Sequence, residues 1–420
     1  MGAPQGLQYV LASGTSNISS HLSETFAAFI SEECFGRQPM TKYASPTAKK
    51  LFLQHLRLFL EYRGENSYGA PTLLPNLVRN VIDHFMTATE TRATLRSAYM
   101  RRVCNAIRDY CPATFKLATK PSPTTCEKIA SDPVESHCLL IAIWMDDEDL
   151  VWHYLEDGVS VWEPTEAFPS PLIAAAEYSD VEVVSLLLKY AKGDLAFTTR
   201  AKPVKILDCA VYVAMRVQDW DTAIILIDWW YQHCRKPQPD QVVEWIRKAV
   251  RADAMEFLYQ VLDQQLTAAT KKRLVECLFD PCYAWGIDSL DGLARAMIAR
   301  GFLDVSQSYT SKGESFSGSL LALAVKMADI KLAKRCLKMG MSANGLAIAG
   351  GELENPLATA VRIGDEAMIR LLLEHNADPI PAEHIVPLGY CKPGEEIIKR
   401  VGTLIHEAAC SKRLGAFPNT

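Results

Sequence analysis

Apolar residues recur at helical spacing, in pairs of short runs, through the C-terminal two-thirds of the chain. The clearest pair lies in Asn355–Ile380, NPLATAVRIGDEAMIRLLLEHNADPI, where small apolar residues fill the first run and three consecutive leucines lie in the second. Ser170–Ala191 and Ser319–Gly340 have the same arrangement. Because a few polar or small residues separate the two runs of each unit, the pattern predicts repeated helix–turn–helix units.

Placing these units in register identifies seven copies between residue 136 and the C-terminus. The slot at the turn between the two helices holds Asp146, Ser179, Asp219, Ala252, Ser289, Ala328 and Gly364, and successive turn slots are 33 to 40 residues apart. The slot five residues later is apolar in every copy: Val151, Val184, Ile224, Phe257, Ala294, Ala333 and Ile369. The slot seven residues before the turn holds Leu139, Leu172, Tyr212, Trp245, Cys282, Leu321 and Leu357. Recurrence at spacings of this length is typical of a repeat array.

These units resemble the ankyrin repeat. Asn355–Ile380 and Ser170–Ala191 follow its T-P-L-H-x-A-A-x-x-G pattern and its later leucine pair. A further copy begins at Thr403 with TLIHEAACSK. The resemblance implies an all-α fold, in which residues 136–420 form an ankyrin-repeat solenoid of seven to eight degenerate repeats. The last copy is then a half repeat that caps the array.

The start of two repeats has a clear helix-capping pattern. Ser170 and Asn355 are candidate N-caps, and each precedes a proline, Pro171 or Pro356. A proline is tolerated in the first turn of a helix, because the N–H that it lacks would have no partner there.

The middle copies, at about residues 206–304, are degenerate. Where ankyrin repeats have an alanine, these copies have Met215, Lys248 and Trp285.

Residues 1–120 lack this pattern and predict a separate N-terminal helical bundle, joined by a linker at residues 121–135. Four amphipathic runs are the predicted helices of this domain: Ser19–Phe35, Pro46–Tyr62, Leu73–Thr89 and Thr91–Tyr110. This domain holds 14 basic and 8 acidic residues, and the remainder of the chain has a net charge of −11. The asymmetry fits either an anionic partner or an interface between the two parts of the chain.

The sequence lacks the common motifs of enzyme active sites. The sequence has no glycine-rich phosphate-binding loop, no H-E-x-x-H and no nucleophile elbow, and we expect no cofactor. The acidic run Asp146-Asp147-Glu148-Asp149 fits the N-terminus of a helix better than a metal site, and His233-Cys234 has no second pair, so we expect no metal. The 12 cysteines are scattered, with no C-x-x-C, which favours a reducing compartment.

In ankyrin proteins the partner usually binds the concave face, which is formed by the ends of the first helices and by hairpin loops. The resemblance therefore implies a partner- or ligand-binding set in this chain: Trp144, Met145, Trp162, Glu177, Tyr178, Arg216, Gln218, Arg251, Asp288, Lys326 and Arg362. Packing of Trp144 and Tyr178 against the N-terminal domain is the alternative for those two. A second set, on one predicted helix, is a candidate anion-binding surface: Arg92, Arg96, Arg101, Arg102 and Arg108.

The leading hypothesis is a non-catalytic scaffold of the cytoplasm or nucleus that binds a protein partner through this face. No stretch of about 18 apolar residues predicts a membrane span. The alternative is an enzyme built on a degenerate ankyrin scaffold, with tRNA as its partner, comparable to fungal synthases of arginine-containing cyclodipeptides. Aromatic and charged residues in the middle copies and the basic N-terminal domain motivate that alternative. An adaptor of a host or ubiquitin pathway is a third class, for which the N-terminal domain has no F-box-like signature.

Overall fold

The computed structural model describes residues 56–57, 60–61, 73–88, 95–110, 123–165, 168–191, 201–280, 285, 290–310, 317–345, 355–379 and 401–410. Over this part of the chain the fold is all-α, as predicted, apart from one short antiparallel pairing of β1 (Tyr309–Thr310) with β2 (Ser317–Gly318). The chain divides into two compact units, Met1–Arg235 and Lys236–Thr420. None of the described helices is long and apolar enough to cross a bilayer.

Unit 1 contains nine labelled helices. They are α1 Leu73–Ala88, α2 Arg96–Tyr110, α3 Pro123–Ser131, α4 Val134–Trp144, α5 Glu148–Glu156, α6 Pro171–Tyr178, α7 Val181–Ala191, α8 Ala201–Val217 and α9 Trp220–His233. Of the four runs predicted for the N-terminal domain, Leu73–Thr89 is observed as α1 and most of Thr91–Tyr110 as α2. The first two runs lie almost entirely outside the described residues. The stretch predicted as a linker contains α3, and the domain boundary at residues 121–135 stays a prediction.

Unit 2 continues with helices of similar length. They are α10 Pro239–Arg251, α11 Met255–Asp263, α12 Ala268–Leu278, α13 Asp291–Ala299, α14 Leu320–Lys326, α15 Ile330–Lys338, α16 Pro356–Ile363 and α17 Glu366–Glu374. Residues 401–410, which include the predicted eighth copy, are also helical, and Ile405 and Ala409 are buried there.

The helices pack as pairs, and the pairs stack. In unit 1 the first helices α4, α6 and α8 contact one another in succession, and so do the second helices α5, α7 and α9. In unit 2, α10 contacts α12 and α14 contacts α16, while the second helices α11, α13, α15 and α17 contact in succession. Each unit therefore has one layer of second helices, and in unit 1 the first helices form a layer as well. In unit 1, α1 and α2 also pack on α4.

Arginine–carboxylate pairs join neighbouring helix pairs. Arg300 Nε lies 2.7 Å from Asp263 Oδ1, and its second nitrogen lies 2.8 Å from the other carboxylate oxygen. Arg273 reaches Asp240 on α10 at 2.7 Å, and Arg335 on α15 pairs with Asp291 on α13. Because these pairs link one helix pair to its neighbour, they favour a single stacking register, although exposed ion pairs add little stability each.

The same tight turn joins the two helices in five pairs. A left-handed residue ends the first helix at Asp146, Gln218, Asp253, Ala328 and Gly364, with φ between 51° and 80°. The N–H of the next residue then donates to the carbonyl oxygen of a buried alanine five residues earlier, at 2.8–3.2 Å, which is a common helix-ending pattern. In four of these pairs the next residue is an aspartate whose side chain caps the second helix: Asp147, Asp219, Asp329 and Asp365.

These turns correct the predicted register of the third and fourth copies. The alanines that accept the turn hydrogen bond are Ala142, Ala214, Ala249, Ala324 and Ala360, and all five are fully buried. The alanine position of the third copy is therefore Ala214 and not Met215, and that of the fourth is Ala249 and not Lys248. A shift of one residue also moves the predicted core position from Tyr212, which is 51% exposed, to Val211, which is fully buried.

The fifth copy also differs from the prediction. The helix that packs on α10 is α12, which ends at Leu278, before the predicted core residue Cys282. Trp285 was assigned to the alanine position of a helix, but it is non-helical and buried, and its indole N–H donates to Cys277 O at 3.2 Å. The buried residues Thr270, Leu274 and Cys277 lie on one face of α12, whose exposed basic residues lack the ankyrin pattern.

Other details of the repeat prediction are confirmed. Ser170 Oγ accepts from Ile173 N, and Asn355 Oδ1 accepts from Ala358 N, so both residues cap their helices. All seven predicted core residues of the second helices are buried. Asp147 caps α5, as expected for the acidic run at Asp146–Asp149, because carboxylates are favourable at helix N-termini.

Candidate partner-binding face

In unit 1 the ends of α6 and α8 bring aromatic and ionic side chains together. Arg216, in the last turn of α8, donates a hydrogen bond to Glu177 Oε1 in the last turn of α6. Tyr178, next to Glu177, has its ring centroid 4.5 Å from that of Tyr110 at the end of α2. Tyr212 lies one helical turn before Arg216, on the same side of α8.

We call this cluster the unit 1 turn face: Tyr110, Glu177, Tyr178, Tyr212, Arg216 and Val217. Its apolar side chains remain accessible, with Tyr178 38%, Tyr212 51% and Val217 45% exposed. Burial, followed by the hydrogen bond with Glu177, raises the pKa of Tyr178 to about 12, so its phenol is neutral at physiological pH. The face thus offers a neutral hydroxyl, a carboxylate and a guanidinium around aromatic rings.

Two predicted residues are not on this surface. Trp144 and Trp162 are 4% and 3% exposed, so the exposure predicted for them was wrong. The Trp144 ring packs edge-on against Phe168 at 5.2 Å and lies 6.1 Å from the Tyr110 ring. The α2 helix of the N-terminal region therefore contacts both Trp144 and Tyr178, which was the alternative reading of these two residues.

Two others lie at the turns themselves. Met145 is half-buried, and its carbonyl oxygen accepts a hydrogen bond from Arg102 at 3.2 Å. Gln218 is exposed and is the left-handed residue that ends α8. Asp288 lies outside the described residues.

In unit 2 the corresponding helix ends hold three basic side chains, with the exposed Asp253 in the turn after the first of them. Arg251, Lys326 and Arg362 are exposed in the last turns of α10, α14 and α16, and Met327 beside Lys326 is 40% exposed. We call these four residues the unit 2 turn face. Arg251 Nε donates to Trp285 O at 2.7 Å, which fixes the position of its guanidinium.

Two members of the unit 1 face were missed by sequence reasoning: Tyr110 and Tyr212. Tyr212 was assigned to the core because the third copy was placed one residue out of register. The spacing of four residues between Tyr212 and Arg216 was available in the sequence and places both on one side of a helix. Contact with Tyr110 depends on how α2 packs, and no local pattern specifies that packing.

The candidate anion-binding arginines are largely engaged with carboxylates. Arg96 pairs with Asp83 at 2.6 Å, and Arg108 pairs with its neighbour Asp109 at 2.6 Å. Arg102 pairs with Asp147 at 2.9 Å, so α2 is held to the first turn of the helix pairs. Arg101 is exposed and makes no ion pair within the described part of the chain, and Arg92 lies outside it. Pairing of three cations reduces the positive potential available to an anion.

A separate groove of about 280 Å³ lies between the second helices α7 and α9. Its floor is Trp229, whose indole N–H donates to Leu188 O at 3.1 Å and whose ring stacks on His233 at 4.6 Å. Lys189 and Asp228 also line it. The groove is open and involves none of the predicted partner-binding residues.

No metal centre is formed within the described ranges, where no three His, Cys, Asp or Glu side chains converge. Comparison of the sequence with protein-family models and with curated proteins found no match.

Proposed function

We propose that the chain is a non-catalytic repeat protein of the ankyrin type that binds a protein partner through its turn faces. Support comes from the layered helix pairs, from the repeated turn, and from the buried alanine at the same position of five first helices. An alanine there allows neighbouring first helices to approach closely, as the ankyrin pattern requires.

The observation that carries the proposal is where exposed apolar side chains lie. The described part of the chain has seven large apolar residues that are well exposed, and four of them belong to the turn faces: Tyr178, Tyr212, Val217 and Met327. In unit 1 three of these surround the Glu177–Arg216 pair. Aromatic residues next to an arginine are the composition that protein interfaces use at their energetic centres.

The enzyme alternative has less support from the geometry. A tRNA-binding domain needs accessible cations, and three of the five candidate arginines are paired with carboxylates. A catalytic pocket is usually concave and well formed, whereas the groove between α7 and α9 is open and lies on second helices.

A selection from a displayed peptide library tests the proposal. Peptides enriched on the wild-type chain are measured again with a Tyr178→Ala/Tyr212→Ala variant, and we expect affinity to fall about tenfold or more, as is typical for aromatic interface residues. Trp152→Ala is the matched control, because Trp152 is 51% exposed on the second helix α5. We expect the control to bind within about twofold of wild type. Equal losses in the two variants would reject the turn face as the binding surface.

A further inference from the structure

One cation occupies the same structural position in several first helices. Arg251, Lys326 and Arg362 each lie two residues before the left-handed residue of their turn, namely Asp253, Ala328 and Gly364. In unit 1 Arg216 lies at the same position before Gln218 and is paired with Glu177. In unit 2 Lys326 and Arg362 lie at equivalent positions on the adjacent helices α14 and α16, so they are on the same side of these two helices, and Arg251 has the equivalent position on α10.

Stabilisation of the helix dipole explains only part of this arrangement. A cation anywhere in the last turn of a helix interacts favourably with the C-terminal carbonyls. That effect falls off gradually over the turn and does not select one position. The chain as a whole is acidic, with a net charge of −5, so a basic row on one face is not a consequence of composition.

The spacing of the row fits an extended peptide. Helices α14 and α16 are in contact, and packed helices lie about 8–10 Å apart. In an extended chain of polyproline II conformation, with three residues per turn and about 3.1 Å per residue, acidic residues three positions apart lie on the same side and about 9 Å apart. Carboxylates at every third position can therefore meet Lys326 and Arg362 together. Arg251, two helix pairs earlier, matches a carboxylate further along the same segment.

Single-stranded nucleic acid fits this face less well. Proteins that bind it combine cations with aromatic side chains on which bases stack. The described unit 2 turn face presents the flexible thioether of Met327 between its cations and no aromatic ring. A methionine adapts to apolar side chains of a peptide.

We propose that the unit 2 turn face binds an extended acidic segment of a protein, with carboxylates paired to Arg362, Lys326 and Arg251 and an apolar side chain packed on Met327. This inference rests on the proposed function, for which it specifies the chemistry of the partner.

Fluorescence anisotropy with a labelled 16-residue peptide that has glutamate at every third position tests the proposal. The main variant is Arg251→Glu/Lys326→Glu/Arg362→Glu. Its control is Lys331→Glu/Lys334→Glu/Lys338→Glu, which makes the same charge change at exposed positions of the second helix α15. We expect the face variant to weaken binding about tenfold or more and the control to weaken it less than about threefold, because ion pairing is local while the long-range field changes equally.

Circular dichroism first checks that both triple variants are folded. If either is not, the single variants Arg362→Gln and Lys334→Gln replace them, with an expected loss of about threefold for Arg362→Gln and none for Lys334→Gln. Equal losses in the two triple variants would overturn the proposal. A glutamine version of the peptide that binds as tightly, or a 16-nucleotide single strand that binds more tightly, would also overturn it. Displayed peptides that depend on Tyr178 and Tyr212 but not on these cations would leave the proposed function standing.

Discussion

At the scale of single residues, a left-handed residue shapes the turn in five of the helix pairs. The N–H that follows it bonds to the carbonyl of a buried alanine, and in four pairs the following aspartate caps the second helix. Gly364 adopts this conformation readily, whereas Ala328 adopts it at φ 55° against the preference of a residue with a Cβ atom.

Replacing Ala328 with glycine should therefore stabilise unit 2. Left-handed strain in alanine is about 1–2 kcal/mol. The added chain entropy of glycine costs about 0.5–1 kcal/mol. We expect a gain of about 0.5–1 kcal/mol in the free energy of unfolding, measured by chemical denaturation. The control is Ala269→Gly, at an exposed right-handed position of α12, which should lose about 1 kcal/mol. A loss of stability in Ala328→Gly similar to that of the control would show that Ala328 is not strained.

The same residues show why the register could be predicted only to within one position. Asp146, Ala328 and Gly364 were placed correctly, but Gln218 and Asp253 were missed by one residue in opposite directions. A left-handed conformation in a residue other than glycine has almost no sequence signature, because the surrounding hydrogen bonds impose it. The turn slots of the third and fourth copies were therefore placed at Asp219 and Ala252, each one residue from the observed position.

At the scale of elements, second helices were predicted better than first helices. The second helices bury one side only, so their apolar residues recur at a clear helical period. In α4 every residue from His137 to Trp144 is buried, which removes the contrast between faces. The helix α12 was missed for a different reason: its buried side is small and its exposed side is rich in lysine and arginine, unlike an ankyrin repeat.

Leu187 in α7 and Leu372 in α17 test the packing of the second helices. Both are fully buried, and truncation of either to alanine should cost about 2–5 kcal/mol. Chemical denaturation followed by circular dichroism measures the change. The controls are Ser185→Ala and Glu374→Ala, at exposed positions of the same two helices, which should change stability by less than about 0.5 kcal/mol. Unchanged denaturation midpoints for both leucine variants would contradict the packing described.

At the scale of the whole molecule, part of the charge asymmetry is accounted for by contacts within unit 1. Arg102 of the basic N-terminal region pairs with Asp147. Burial raises the pKa of the nearby Asp146 carboxyl, and the negative charge of Asp180 raises it further. A basic helix that lies against an acidic turn is held there by complementary charge. This arrangement explains a basic segment without an anionic partner.

Binding of tRNA distinguishes the two functions that the sequence suggested. We expect no specific binding between low and physiological salt, because three of the candidate arginines are already paired. The measurement compares the wild type with an Arg101→Ala/Arg108→Ala variant. Salt-sensitive binding that this double substitution abolishes would favour the tRNA-dependent enzyme.

Site residues could be predicted from the sequence where their position in the repeat alone decides whether they are exposed. They could not be predicted where a neighbouring helix decides it. Glu177, Tyr178 and Arg216 were identified from their positions at the ends of first helices, and the structure brings them together. Trp144 occupies a comparable position, but α2 and Phe168 cover it. Contacts between segments that are distant in the sequence decide such cases, and no repeat pattern contains them.

Amide hydrogen exchange with a bound peptide, selected on the wild-type chain, shows which surface of the protein the peptide covers. We expect slower exchange at the ends of α6 and α8, around Tyr178 and Tyr212–Gln218, or at the unit 2 turn face, with little change in α5, α7 and α9. Protection confined to these second helices, for example around Trp152 or the groove floored by Trp229, would contradict binding through the turn faces.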